Sequence, residues 1–454
     1  TMLFRIFLYI ISLSPLFFGT NRAWSWSLYS LIIACLCLSY FVNTLRNKKG
    51  FDIAINPIKY PLALVSIPII WALIQTSSWI PSEYFHPFWG LSNQQLINEV
   101  TPSISLSPAD TGTAAMKLVS YFLVFFLSFQ FSRQSDKANS IFKTTAYFGT
   151  AYAIYGLYAF WANDNSLLGF SNDAYQNNVR STFINRNSYA TYAGLSILAL
   201  LPLLMDRVKS CFIYGLENHF GRQYFIEHLI TRAWLPVLML MIILTALFLS
   251  HSRGGFLSSS LAILIFFITL LLSGKLKKGK AISIFLMTTV VISLSFWNSS
   301  DKLLDRMDQI NLDNNGRINV YTILDKAIDE NYWLGTGYGT FEKGFKLYRD
   351  ESVRGYYIAA HNSYLENLFE LGFFQAIALF SGILFIAIKC LQGIWQRQRH
   401  WEYPALGFAA TSLVATHALV DFSLQIPAVA YTFALLMGAA FAQSLPRHLR
   451  IKSD

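Results

Sequence analysis

Charge is scarce in this 454-residue chain, where only 13% of residues are Asp, Glu, Lys or Arg. That is about half of the ~25% usual in soluble globular domains, and too little polar surface to cover water-exposed cores at this length. Cysteine is scarce too: the four residues Cys35, Cys37, Cys211 and Cys390 are placed where neither a disulfide framework nor a thiolate metal site is indicated. No P-loop spacing, no Ser–His–Asp arrangement and no His, Cys or acidic cluster at metal-ligand spacing is found, so neither a metal nor a cofactor is expected. Internal repeats and low-complexity tracts are also lacking. Disorder is excluded by the 38 Phe, 24 Tyr and 11 Trp.

What the chain has in abundance is apolar sequence, with 54% hydrophobic residues. Runs long enough to cross a bilayer, roughly 17–25 residues each, recur from end to end. The first six are Met2–Phe18, Trp24–Val42, Tyr60–Gln75, Ala114–Phe131, Ile141–Ala162 and Ser188–Met205. The second six are Ala233–Ser250, Gly255–Ser273, Ala281–Trp297, Phe373–Leu391, Tyr403–Val420 and Ile426–Leu445. Only helices and closed barrels satisfy their backbone in lipid, and these unbroken runs lack the alternation of barrel strands. The expectation is an all-α polytopic membrane protein with about 12 transmembrane helices. The first run, with Arg5, resembles a signal peptide, but no small-residue cleavage site follows it, so it is read as a retained helix.

The net charge of +10 on its own would fit a nucleic-acid binder. Sorting the bases along the chain gives another origin. Clusters such as Arg46, Lys48 and Lys49 after the second run, and Lys275, Lys277, Lys278 and Lys280 after the eighth, all fall on one side of the membrane. That side holds 22 bases against 7 acids, which makes it cytoplasmic, with both termini inside. The positive charge records topology, and no nucleic-acid partner is expected. One outer connection is long: residues 298–360 carry 10 acids and 8 bases. Within it, Gly316–Asp329 has the spacing of an amphipathic helix. The chain thus divides into residues 1–297 with nine spans, 298–372 as an outer loop domain leading into the tenth helix, and 373–454 with three spans and a cytoplasmic tail.

Against an outer face that avoids bases (Pro61 to Met116 has none), a few cations stand out. Arg180 and Arg186 precede the sixth run. Arg253 lies in Ser250-His-Ser-Arg-Gly-Gly255, a turn tight enough to make the seventh and eighth runs a hairpin, with Leu257 one helical turn below to pack the helix. Arg317 opens the amphipathic helix of the long loop. Such arginines can simply snorkel to headgroups. They can also grip phosphate oxygens in pairs, and glycines at 254 and 255 allow close approach. His361 and Gly372 are eleven residues apart, about three helical turns, and so share a helix face. Glu366 and Glu370 are expected on another face, solvated or in structural pairing. His417 and Asp421, one turn apart at the outer end of the eleventh run, form an ionisable pair at membrane depth. Mutual hydrogen bonding across the turn is the plainer alternative. Gly335-Thr-Gly-Tyr-Gly339 lacks the spacing of a nucleotide loop, and Lys117 is the main base within a span.

Arg253-Gly-Gly-Phe-Leu257 and the pattern from His361 to Gly372 resemble the R-x3-L and H-x10-G motifs of the O-antigen ligase and Wzy-type polymerase superfamily. Thr182-Phe-Ile-Asn-Arg-Asn187, Gly335-Thr-Gly-Tyr-Gly-Thr-Phe341 and His417 to Phe422 are similar to it as well. Ser188-Tyr189 departs from the commoner members, where a His-Phe pair is often found. The resemblance implies a GT-C-like, metal-independent glycosyltransferase of the bacterial inner membrane, with its active site facing the periplasm and one large periplasmic loop. Its donor would be an undecaprenyl-diphosphate-linked glycan. Its acceptor would be lipid A-core for a ligase or a growing glycan for a polymerase; protein O-oligosaccharyltransferases are more remote, and a lipid-linked glycan flippase is the rival outside enzymes. Arg253 and His361 match the family's functional Arg and His, Arg180 and Arg186 compete for an upstream Arg, and Arg317, His417 and Asp421 are lesser candidates. The flanks of the seventh, eighth and tenth runs would hold the polyprenyl tail.

The orientation is testable with single cysteines in an otherwise cysteine-free chain. Lys452→Cys should react with an impermeant maleimide only after the inner membrane is opened, and Ser299→Cys in intact spheroplasts; labelling of both from outside overturns the topology.

Overall fold

A computed structural model describes residues 2–46, 53–95, 100–162, 177–217, 231–276, 307–353 and 355–446 and a few single positions, with backbone alone at 208–217 and 307–315. Among them no strand occurs. Seven helices are long and apolar enough to cross a bilayer: α2 (Ala23–Arg46), α3 (Lys59–Gln75 with the turn before it), α5 (Pro108–Phe131), α7 (Arg186–Glu217, counted to Arg207), α9 (Arg253–Leu272), α13 (Phe373–Gln396) and α15 (Pro427–Ser444). Two more apolar helices are shorter, α1 (Met2–Leu13) and α8 (Trp234–Leu249). The fifth and eleventh runs fall on α6 (Ser135–Trp161) and α14 (Glu402–His417), which do not meet the same measure of length and hydropathy. The ninth run, Ala281–Trp297, lies outside the described residues, as does the side chain of Cys211. The chain is a polytopic helical membrane protein.

Its centre is α15, every residue of which is buried. A helix enclosed all round cannot be amphipathic, and α15 instead carries small residues that let backbones close in. A Cβ on Gly438 would stand 2.5 Å from the carbonyl oxygen of Phe125 on α5. The same contact is sealed by the Ser128 hydroxyl, which donates to the Leu435 carbonyl at 2.6 Å. Helices α1, α6, α7, α13 and α14 also pack on α15.

Outside this bundle, α10 (Met307–Glu330), α11 (Phe341–Tyr348) and α12 (Ser363–Leu371) share a second core built from Val320, Leu324, Ala327, Phe341, Phe345 and Phe369. The amphipathic helix therefore begins at Met307 and not at Gly316, so Arg317 lies well inside it instead of opening it. Between α3 and α5 lies a further short helix, α4 (Phe88–Gln95). Several bonds tie down this outer cap. Gln75, at the end of α3, donates to the carbonyls of Leu334 and Glu370, both at 2.8 Å, and accepts from Tyr338 N–H at 3.0 Å. Lys343 on α11 pairs with Asp110 on α5 at 2.5 Å.

Filling the close approach at Gly438 should be costly. Gly438→Val is expected to destabilise the bundle by about 1–3 kcal/mol through overpacking, read as a lower melting temperature in detergent; an unchanged value would contradict the packing described.

Candidate active site

The chain leaving α14 turns back on itself, and Asp421 in that turn has no exposed side-chain surface. A buried carboxylate must be hydrogen-bonded to be tolerated. Oδ2 accepts from the Ser423 hydroxyl, and Oδ1 accepts from Asn187 Nδ2 at 3.2 Å. The imidazole of His361 completes the set, with Nδ1 3.6 Å from Oδ1, an ion-pair distance beyond hydrogen-bond length. Burial alone would raise the Asp421 carboxyl, yet His361, His417 and Ser423 hold it below its ordinary value. It therefore stands as a carboxylate facing an imidazole.

His361 is not on a helix. Its φ of 54° is left-handed, and the helix starts two residues later, where the side chain of Asn362 accepts from Tyr364 and Leu365 N–H. The expected common face with Gly372 thus does not exist, because the cap takes the chain out of helical geometry at the first residue of the motif. Gly372 serves a different purpose. At φ 81° it ends α12, and a Cβ there would lie 2.4 Å from the Trp333 carbonyl oxygen. The imidazole of His361 keeps 21% of its surface exposed and stands edge-on to Phe422 with ring centroids 5.0 Å apart, while the His361 carbonyl accepts from Tyr321 Oη at 3.1 Å.

Asn187 carries the arrangement across to the next motif. Its Oδ1 accepts from Ser252 Oγ at 2.9 Å, and Ser252 in turn caps α9 by accepting from Gly255 N–H. Arg253, the first residue of α9, is exposed and makes no hydrogen bond or ion pair with any described residue. The glycines behind it explain how α9 reaches this position. A Cβ at Gly255 would sit 2.5 Å from that of Ala190, and one at Gly254 would sit 3.1 Å from the His417 ring. Leu257, expected to pack the helix beneath Arg253, is instead 42% exposed.

Arg180 and Arg186 flank the same place. Val179 N–H donates to the Leu249 carbonyl at 2.9 Å, laying residues 178–180 along the end of α8. Asn178 Oδ1 accepts from Arg186 at 2.8 Å and lies 3.1 Å from His251 Nδ1. Arg180 is buried, and Arg186 is half-buried at the start of α7. Ser181, His251 and His361, one in each connection that meets here, all have left-handed φ values of 51–54°, a conformation unusual outside glycine and gathered at functional sites. Arg317, half-buried on α10, lies one turn from Tyr321 and acts on its hydroxyl electrostatically.

His417 and Asp421 do not bond each other. Helix α14 ends at His417, so the pair is not one helical turn apart, and the link runs through Thr191, whose hydroxyl lies 2.7 Å from His417 Nδ1 and 2.9 Å from Ser423 Oγ. Glu366 and Glu370, expected on a solvated face or in structural pairing, are both buried. Glu370 accepts from Gly339 and Phe341 N–H at 2.9 and 2.8 Å, so the glycine-rich loop is a cradle for that carboxylate. Glu366 accepts from Ala360 N–H at 2.8 Å and from Gln425.

Beside α12 opens a cavity of about 900 Å³ between α3, α5, α13, α14 and α15. Its apolar wall includes Phe122, Phe380, Phe433 and Met437 of the spans, while Lys117, Glu366, Asn367 and Glu370 mark its polar part. Lys117, the base within a span, lies over the Trp26 ring at 5.0 Å. Of the seventh, eighth and tenth runs, only the tenth, as α13, lines this cavity.

Residues 238–381 match the family model described as O-antigen ligase. This match over a third of the chain supports membership of the O-antigen ligase/Wzy superfamily. The matched third of the chain contains Arg253, Arg317 and His361, while Arg180, Arg186, Asn187 and Asp421 lie outside it. No curated protein matches the chain. The matched domain is that of glycosyltransferase-like membrane enzymes working on lipid-linked glycans. Among the described residues no group of three His, Cys, Asp or Glu side chains could hold a metal ion. Reading the sequence alone passed over Asn187, Ser423 and Glu366 as site residues; Asn187 and Glu366 stand in segments already singled out and Ser423 directly follows one, but nothing local marks them as partners of residues far along the chain.

Burial pushes the Glu366 carboxyl up to about 7. Between its ordinary value of 4.5 and about 7 the folded protein holds a proton that the unfolded chain releases, so stability should fall as pH rises through that window. Glu366→Gln should flatten this part of the melting temperature's fall between pH 5 and pH 8; an unaltered pH dependence would refute the assignment.

Proposed function

We propose that this member of the superfamily is a periplasmic-face glycosyltransferase that moves a glycan from an undecaprenyl-diphosphate donor to an acceptor, with lipid A-core as that acceptor. The observation that carries the reading is the His361–Asp421 pair, held through Asn187 and Ser252 beside an exposed and unpartnered Arg253. Transfer needs two things: a group to take the proton of the attacking sugar hydroxyl, and cations to stabilise the diphosphate as its bond to the anomeric carbon breaks. With Nδ1 turned to Asp421, His361 has Nε2 free to accept that proton, and the carboxylate steadies the imidazolium that results. Arg253 receives the departing diphosphate, with Arg180 or Arg186 as second cation and Arg317 as helper from the cap. The cavity suits an amphiphilic substrate, since its apolar wall is formed by the spans and its polar part adjoins the site through Ser363 and Phe422. A lipid carrier, or a lipid-anchored acceptor, places its chain and its sugar in that order.

His361→Ala and Arg253→Ala should each lower glycan transfer in membranes by about 10²-fold or more, and full activity in both would overturn the reading. Deletion in the source organism divides ligase from polymerase. Long polymer stranded on the carrier is the expected result; single repeat units on the final acceptor would assign the chain as a polymerase instead.

A further inference from the structure

Two short turns hold the His361–Asp421 pair, residues 359–362 ahead of α12 and residues 418–425 after α14. They are joined by few bonds. Ser363 N–H donates to the Ala418 carbonyl at 2.9 Å, and Ser363 Oγ donates to the Asp421 carbonyl at 3.0 Å. Besides the contacts of His361 itself, a further tie among the described residues is a side chain. Glu366 lies one turn into α12 and reaches back, one oxygen accepting from the main chain of Ala360 and the other from the amide of Gln425. Ala360 immediately precedes His361, and Gln425 closes the turn that holds Asp421. We propose that Glu366 is a positioning residue for His361, its carboxylate fastening the Ala360–His361 turn to the Asp421–Gln425 turn so that the imidazole meets its carboxylate partner.

The chemistry of the position supports this. Glu366 is buried, and the described groups acting on it are Asp421 and Glu370, both acids, with no cation to offset its charge. An apolar side chain would be cheaper to bury. What a side chain with two polar atoms at its tip provides is a simultaneous bond to a main-chain N–H and a side-chain amide in two different turns. His361 sits in a left-handed conformation that its neighbours must hold in place, and the residue before it is the one Glu366 holds. An error of about 1 Å in a catalytic group is enough to cost about 10²-fold in rate.

This inference rests on the role given to His361 above, and the test separates the two. Rates and KM for the lipid-linked donor are measured on the full-length protein in detergent for Glu366→Ala, Glu366→Gln, Gln425→Ala, His361→Ala and the Glu366→Ala/His361→Ala pair. Glu366→Ala should lower kcat by about tenfold or more with KM within about twofold, while Glu366→Gln, whose carbonyl still accepts from Ala360 N–H, should stay within about threefold of the parent. In the His361→Ala background, Glu366→Ala should cause no further loss, because the two act as one unit. Wild-type kcat in Glu366→Ala beside an inactive His361→Ala overturns the positioning role alone, and so does an additive loss in the double variant. A Gln variant as low as the Ala variant also overturns it. Full activity in His361→Ala overturns the reading of the site itself. If Glu366→Ala does not fold, Gln425→Ala, which removes one anchor only, should lower kcat about threefold at constant KM, and an unchanged kcat there counts against the proposal.

Discussion

One buried charge sets the terms for the site. Asp421 is out of contact with solvent, and a carboxylate so placed is stable only with its oxygens satisfied. Its partners come from three stretches of chain far apart in sequence: Asn187 near the start of α7, His361 before α12, and Ser423 in its own turn. Satisfying that charge therefore fixes the relative position of three connections. Through the other end of the Asn187 amide the same demand extends to Ser252, the residue before Arg253. The histidine and the arginine are held by one chain of an ion-pair contact and hydrogen bonds, although no regular element contains both.

Helix packing makes the convergence possible. For α9 to begin beside Asn187, its first turn must press against α7 and α14, and Gly254 and Gly255 remove the side chains that would hold it away. Residues with left-handed backbone then turn the chain within one or two positions at Ser181, His251 and His361. Each such residue is strained by about 1–3 kcal/mol, which a loosely packed loop would release. The buried α15 and its tight contact with α5 supply the rigid frame against which that strain can persist.

Length and hydropathy made most of the bundle legible, because a bilayer demands runs of a given length and the demand is written residue by residue. The cap was less so. Its helix α10 extends nine residues ahead of Gly316, since an isolated glycine weakens a helix without ending it, and a side chain there would meet Tyr357 Oη at 2.8 Å. Arg253 and His361 were singled out by their motifs, and they stand in connections that Asn187 links through Ser252 and Asp421. The His361–Asp421 contact was not legible, since its partners are separated by most of three helices and periodicity reports faces, never depth. The same limit misplaced Glu366 and Glu370: spacing gives a shared stripe but cannot say whether water or protein lies against it. The helical reading of His361 to Gly372 failed for a local reason, the Asn362 cap, which a count of turns ignores.

The two buried glutamates of α12 show what that helix requires. Nine residues are too few for a helix to stand by its own hydrogen bonds, and α12 must nevertheless present its N-terminal turn to Asp421 without drift. Each end is secured by a carboxylate reaching outward, Glu366 to Ala360 and Gln425, Glu370 to Gly339 and Phe341. The expense is evident in both carboxyls, which burial drives above their ordinary value. A helix built only for stability would carry apolar residues or amides at these positions. Carrying buried carboxyl groups there gives up some stability in exchange for fixed geometry, the trade expected where a short element positions a reacting group.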